Sequence, residues 1–202
     1  MELDTIQFGR YRNSATSTAP IEWYVLNQND GEALLLSRYI LDVYAYHFVF
    51  EQITWDKCDV RTWLNDDFYN TAFSPDEKAR IQTTLIETED NYFVKDNVFL
   101  LSDDEFYKYL PPDTTKIKQR QAKATEYALE NRLNQHKDSG SCWLLRNPGD
   151  GSFKCRDVNM PTLFKSKFAA FVSAVGGVCH QGVPVDEPRG IRPAIRIIYM
   201  DV

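Results

Sequence analysis

The side chains that could carry reaction chemistry are few and scattered. Histidine occurs three times, at His47, His136 and His180, and cysteine four times, at Cys58, Cys142, Cys155 and Cys179. A zinc centre draws His, Cys and carboxylate ligands at short local spacings, and neither a CxxC nor an HExxH run is present. The nearest approach is Cys179-His180 with Cys155 and Cys142, but neighbours in a strand face opposite ways and seldom share one metal. No metal or other cofactor is expected. A Cys/His nucleophile pair would need distant positions brought together by the fold. Phosphate-cradling GxxxxGK, GxGxxG after a strand and the GxSxG elbow are also missing.

Carboxylates come in groups: Asp66-Asp67, Glu87-Thr88-Glu89-Asp90 and Asp103-Asp104-Glu105. The last follows Ser102 and fits the first turn of a helix, where acids favour the dipole. It is expected to cap rather than catalyse.

Two polar stretches inside apolar ones are less ordinary. In "RGIRPAIRIIY", residues 189–199, three arginines sit in an Ile-rich run. Strand interiors rarely hold arginine unless it is paired or faces a site. A regular strand would place Arg192 and Arg196 on one face, and Pro193 suits a strand start or edge. Arg192 is expected to be a bolt, pairing with an acid or capping carbonyls, and Arg189 to be the ligand contact. In "WLLRNPGDG", an apolar strand from Trp143 runs straight into Arg146, Asn147 and a turn cluster. Strand ends beside ordered loops are where binding groups collect.

The elements that would position these groups are legible. "IQFGRY" and the apolar runs flanking Asn29-Asp30-Gly31 read as strands, the second pair as a hairpin, since Asn, Asp and Gly tolerate positive φ. Helical spacing of Val60, Trp63, Leu64 and Phe68 predicts a helix capped by Asp59. Ser74-Pro75 with Glu77, and Ser102 with Glu105, are capping-box starts. A buried strand is expected over Val98–Leu101. The segment 116–136 reads as helix with a thin apolar stripe at Ile117, Ala124, Tyr127, Ala128 and Leu129. "GGVCHQGVPVDEPRG" reads as a long polar loop and "IRPAIRIIY" as the final strand. No internal repeat or linker breaks the 202 residues, which are expected to form one α+β domain over 1–202.

Composition bounds the partners. A formal net charge of -6 argues against a duplex nucleic-acid binder, and "KIKQRQAK" is too short to reverse this. No apolar run is long enough for a transmembrane segment, and no signal peptide is visible at the start. The chain as written is therefore expected to be cytoplasmic with free thiols, or surface-exposed or secreted if a leader has been removed.

Several segments together resemble a known family. "IQFGRY", "PIEWYVL", "ALLLSRYILD", "DVRTWLNDDFYNTAFSPDEKARI", "DNVFLLSDDEFYKY", "WLLRNPG" and "GIRPAIRI" run in this order from about Ile6 to Ile198. They look like a large bacterial domain family of unknown function. That family is similar in fold to C-type-lectin-like domains, in the branch of the formylglycine-generating enzymes and the variable proteins of diversity-generating retroelements. The resemblance implies paired first and last strands, helices flanking a small twisted antiparallel sheet, and a loop-rich C-terminal half that presents the ligand surface. The Trp-x-x-Arg and Gly-x-Arg-Pro-Ala hallmarks match Trp143, Arg146, Gly190, Arg192, Pro193 and Ala194, making Trp143, Arg192 and Pro193 scaffold residues.

The same resemblance cuts against the branch's chemistry. Its copper enzymes use a close cysteine pair, which Cys142, Cys155 and Cys179 do not match. Its iron enzymes use a His constellation that His47, His136 and His180 do not reproduce. "WLND" and "DEP" miss the calcium-lectin motifs. The reading that follows is a non-enzymatic binding domain taking a glycan, peptide or protein on the loops at 146–159 and 179–189. Its expected contacts are Arg146, Asn147, Asp150, Arg156, Asp157, His180, Gln181, Asp186 and Arg189. The alternatives are a divergent enzyme with a Cys/His/carboxylate cleft, and a retroelement-diversified receptor.

Overall fold

A computed structural model describes residues 3–88, 92–112, 117–134, 140–151 and 166–199. His136, Cys155, Arg156 and Asp157 lie outside the described residues. The architecture is mixed α+β with mostly antiparallel sheets. The first sheet has the order β1-β2-β3-β12-β5, built from β1 (Thr5–Arg12), β2 (Thr18–Asn29), β3 (Glu32–Ser37), β5 (Ile81–Gln82) and β12 (Ala194–Ile198). β2 and β3 meet through Asp30 and Gly31, at φ 50° and 78°. Two successive positive φ values make the tight hairpin turn that the Asn-Asp-Gly run predicts. β3 is buried from Ala33 to Ser37, because its central place leaves neither face to water.

The first and last strands share this sheet, but they are not neighbours. β12 pairs with β3 and β5, while β1 lies at the far edge beside β2. Direct pairing of the termini, as the resemblance implied, is not what the chain does.

The second sheet has the order β10-β9-β8-β11-β4, from β4 (Asp42–Tyr44), β8 (Trp143–Pro148), β9 (Phe168–Val172), β10 (Val178–Pro184) and β11 (Arg189–Ile191). Two expectations change here. The stretch read as a long polar loop contains β10, an edge strand whose alternation is hidden by its glycine and polar residues. The final strand is two strands: β11 belongs to the second sheet and β12 to the first, and the chain changes sheets at Arg192-Pro193. Arg192 and Arg196 therefore do not share a face. Arg192 is fully buried, with Nε donating to Ser37 O at 2.7 Å and Nη1 to Gln119 O at 2.8 Å. Its guanidinium carbon lies 4.9 Å from the Trp143 ring centre, with no carboxylate in contact among the described residues. Burial drives its pKa down to about 9, so it stays charged at neutral pH. Arg192 is a bolt that caps carbonyls.

Short helices join strands along the chain. α1 (Asp59–Trp63), a π turn (Leu64–Phe68) and α2 (Tyr69–Ala72) follow one another without a break. Cys58, not Asp59, is the N-cap. Asp59 instead accepts from Phe48 N at 2.8 Å and sits 2.6 Å from His47 Nδ1. Val98–Leu101 is buried as expected but makes only a bridge, Phe99 to Ala194. Its other backbone groups are met partly by side chains, Asn65 taking Val98 N and donating to Val98 O and Arg146 reaching Leu100 O, while Leu101 O accepts from Arg146 N at 3.0 Å. Of the 116–136 segment, the described residues 117–134 hold two separate short helices, α5 (Ile117–Arg120) and α6 (Glu126–Glu130). A ribbon of β6 (Thr84–Glu87) and β7 (Phe93–Asp96) completes the described strands. No helix among the described residues is long and apolar enough to cross a membrane.

Both capping boxes form, at α3 (Pro75–Lys78) and α4 (Asp103–Tyr109). Partial burial alone would raise the Glu77 pKa, but the backbone N–H groups of Ser74 and Gly9 and the Ser74 hydroxyl hold it below its ordinary value. A depressed carboxylate lends stability above its unfolded pKa and loses it as pH falls through the folded one. Ser74→Ala should therefore cost about 1 kcal/mol at neutral pH, with a smaller loss in acid, at a pH low enough to protonate Glu77. Chemical denaturation at the two pH values tests this, and an equal or absent loss would refute the box.

Arg192→Met leaves two buried carbonyls without donors, each worth about 1–3 kcal/mol, and relieves one buried charge. A net loss of about 2 kcal/mol is expected. Arg189→Ala, whose guanidinium meets Pro188 O, Glu187 and, 5.9 Å away, the Phe171 ring among the described residues, should cost about 0.5–1 kcal/mol. The reverse order in urea melts would invert the two roles.

Candidate functional site

Strand β9 has bulges on both sides at one level. On β8, Leu144 pairs with Phe171 and Pro148 with Ala169, so residues 145–147 stand opposite Ala170 alone. On β10, Cys179 pairs with Phe171 and Val183 with Ala169, so residues 180–182 also stand opposite Ala170. Bulges re-aim side chains and break ladders. Here the two loosened stretches close on each other beyond β9. Asp150 N donates to His180 O at 2.8 Å and Gly151 N to Gln181 O at 3.1 Å. Glycine is required at that crossing: a Cβ on Gly149 would lie 2.7 Å from Gln181 O, and Gly182, at φ +81°, would put one 2.8 Å from Ala169 O.

The bulge side chains converge on the first turn of α4. Asn147 Oδ1 accepts from Asp103 N at 2.9 Å. His180 Nδ1 is 3.4 Å from Asp103 Oδ2, and its ring stacks on Tyr107 at 6.3 Å. Arg146 donates to Leu100 O at 2.9 Å and contacts the Glu105 carboxylate, which also accepts from Ser102 N. Arg146, Asn147 and His180, expected as contacts from sequence, are thus brought together, although Nη1 of Arg146 is engaged by Leu100 and Glu105. Asp150 and Gln181 lie exposed at the crossing. Asp186 and Arg189 stand apart, at the turn after β10 and the start of β11, where Arg189 Nη2 meets Glu187 at 3.0 Å. Arg156 and Asp157 are outside the described residues.

Beside this junction is a cleft of about 290 Å³, lined by Trp55, Glu87, Thr88, Ser102, Asp104, Arg146 and Asn147. Pockets for small ligands start near this size. Of its walls, only Arg146 and Asn147 were legible as site residues. Trp55 and Thr88 come from segments far away in sequence; Trp55 reads alone as core, and Thr88 carries no signal of its own.

A second feature escaped the sequence reading. Phe48, Val49 and Phe50 are 61%, 57% and 43% exposed on the loop leading to Trp55. The loop is held in place by the Asp59 contacts already described and by His47 N donating to Val185 O at 2.9 Å. Phe50 meets Phe168 edge-on at 6.0 Å, and Gly149 N donates to Phe168 O, which sets this apolar tip at the same end of the second sheet. A run of three apolar residues in "AYHFVFEQIT" was the available signal.

Cysteine chemistry finds no support in the same geometry. Burial and the neighbouring Cys142 thiol push the Cys179 pKa up, which favours the unreactive thiol. Cys179 and His180 are successive residues of one strand, and His180 is turned to Tyr107 and Asp103. Cys58, Cys142 and Cys179 are thiols not joined in disulfides, and no three His, Cys, Asp or Glu side chains among the described residues gather as a metal site.

A family model described as a domain of unknown function, DUF6273, matches residues 30–198. The chain belongs to that family. The matched stretch takes in both bulges, α4, the cleft and the apolar tip, and leaves β1 and β2 outside it. No curated protein matches the chain, and no solved structure does.

The hydrogen-bonding pattern separates anchors from free groups. Arg146→Met strips a donor from the buried Leu100 carbonyl and a partner from Glu105, so a loss of about 2–3 kcal/mol is expected. His180→Ala removes a half-exposed pair and should cost under about 0.5 kcal/mol. Urea melts of the two variants check this, and comparable losses would show that His180 is structural as well.

Proposed function

We propose that this is a non-enzymatic interaction domain that binds a peptide segment of a partner protein across the end of the second sheet. The observation that carries the reading is the pair of bulges opposite Ala170, which deliver Asn147 and His180 to the start of α4 beside an open cleft. The apolar tip Phe48–Phe50 extends the same surface, and held, exposed aromatic residues are frequent anchors of protein contacts. A mix of apolar tip and polar cleft favours a peptide over a glycan or a small metabolite. The raised Cys179 pKa weighs against the nucleophilic-enzyme alternative.

We assign the scaffold to the C-type-lectin-like class. The ordered motifs from Ile6 to Ile198 support this, as does the gathering of C-terminal loops at one sheet end. The strand order, with β12 between β3 and β5, does not add to that support.

Selection from a displayed random-peptide library tests the binding reading. Enriched peptides should bind the wild type and a Thr5→Ala control on the other sheet alike. Phe48→Ser and Asn147→Ala should each weaken binding about tenfold, equivalent to about 1.4 kcal/mol. Failure to enrich any peptide, or binding indifferent to both variants, would count against the proposal.

A further inference from the structure

Resting on the cleft as part of the recognition surface, we propose that it receives the cationic end of a lysine or arginine side chain of the partner peptide. Glu87 and Asp104 in its walls are exposed, and neither carboxylate makes an ion pair or side-chain hydrogen bond with another described residue. Arg146 is the cation among the lining residues and would repel a second one. Glu105, in contact with it, offsets that charge, so the local balance is three carboxylates against one guanidinium. An anionic group such as a phosphate would meet that excess unfavourably.

Thr88 gives an independent sign that something is missing. It is 5% exposed, it lines the cleft, and its Oγ1 has no hydrogen-bond partner. A buried hydroxyl left without a partner is unfavourable, and the N–H of an incoming ammonium or guanidinium would supply one. The cleft's modest volume suits the end of one side chain. No three His, Cys, Asp or Glu side chains among the described residues gather closely enough to hold a metal ion, Glu105 being engaged by Arg146, so the carboxylates fit an organic cation better than a divalent metal.

The test is a chemical-shift titration of the intact chain with N-acetyl-arginine amide, N-acetyl-lysine amide and neutral N-acetyl-citrulline amide. At low salt the two cations should shift the backbone amides of Thr88, Asp104 and Asn147, and citrulline should bind about tenfold more weakly, as for loss of one charge-assisted contact. The double variant Glu87→Gln/Asp104→Asn should abolish that difference while leaving the rest of the spectrum in place. Added salt should weaken the cations selectively. Equal binding of citrulline overturns the cationic class and leaves the cleft as a binding site. Absence of shifts at the cleft with all three overturns the inference, and the peptide selection then judges the wider interaction reading separately.

Discussion

A buried guanidinium holds the two sheets in register. Arg192 sits where the chain leaves β11 in one sheet and enters β12 in the other. One of its nitrogens caps the last carbonyl of β3 and another caps α5, while its flat face lies over Trp143 of β8. Four segments from distant parts of the sequence thus meet on one side chain. A lysine could not do this, because it lacks the planar fork that serves two carbonyls while stacking on an indole. With no acid in contact among the described residues, the charge is held by carbonyl dipoles and the ring, and burial lowers its pKa. Pro193 follows at the point where a backbone donor is not needed for either ladder.

That fixed crossing sets the place of β8, and β8 sets the site. Trp143 is held on Arg192, and Leu144 still pairs regularly with Phe171. Just beyond, the strand bulges and hands Arg146 and Asn147 to α4. Arg146 ties β8 to the Leu100 carbonyl and to the capping-box glutamate, so the helix start, the buried 98–101 segment and the strand end form one rigid corner. The bulge on β10 brings His180 to the same corner from the other side of β9. What remains uncommitted there is the surface between them: the carboxylates of Glu87 and Asp104, the hydroxyl of Thr88 and the apolar tip at Phe48–Phe50. A rigid frame around unsatisfied groups is the arrangement that binding requires, since little ordering remains to be done when a ligand arrives.

Local chemistry accounts for what the sequence determined. Asp30-Gly31 dictated a hairpin because two adjacent residues had to tolerate positive φ. Ser74 and Ser102, each with a glutamate three residues on, dictated helix starts because the reciprocal bonds lie within one turn. Arg146 and Asn147 stood out because polar groups ended an apolar strand, and Arg192 because an arginine interrupted one. All of these signals act over a few residues. Tertiary structure decided the rest. Strand order placed β12 between β3 and β5, and backbone polarity let β10 form where glycine and polar residues concealed it. Asp59 became a clamp for the Phe48 loop rather than a cap. Whether Arg192 met a carboxylate or carbonyls depended on chain segments 73 and 155 residues away. Trp55, Glu87, Thr88 and Asp104 became walls of one cleft only because packing brought them together, and no local pattern encodes a contact of that range.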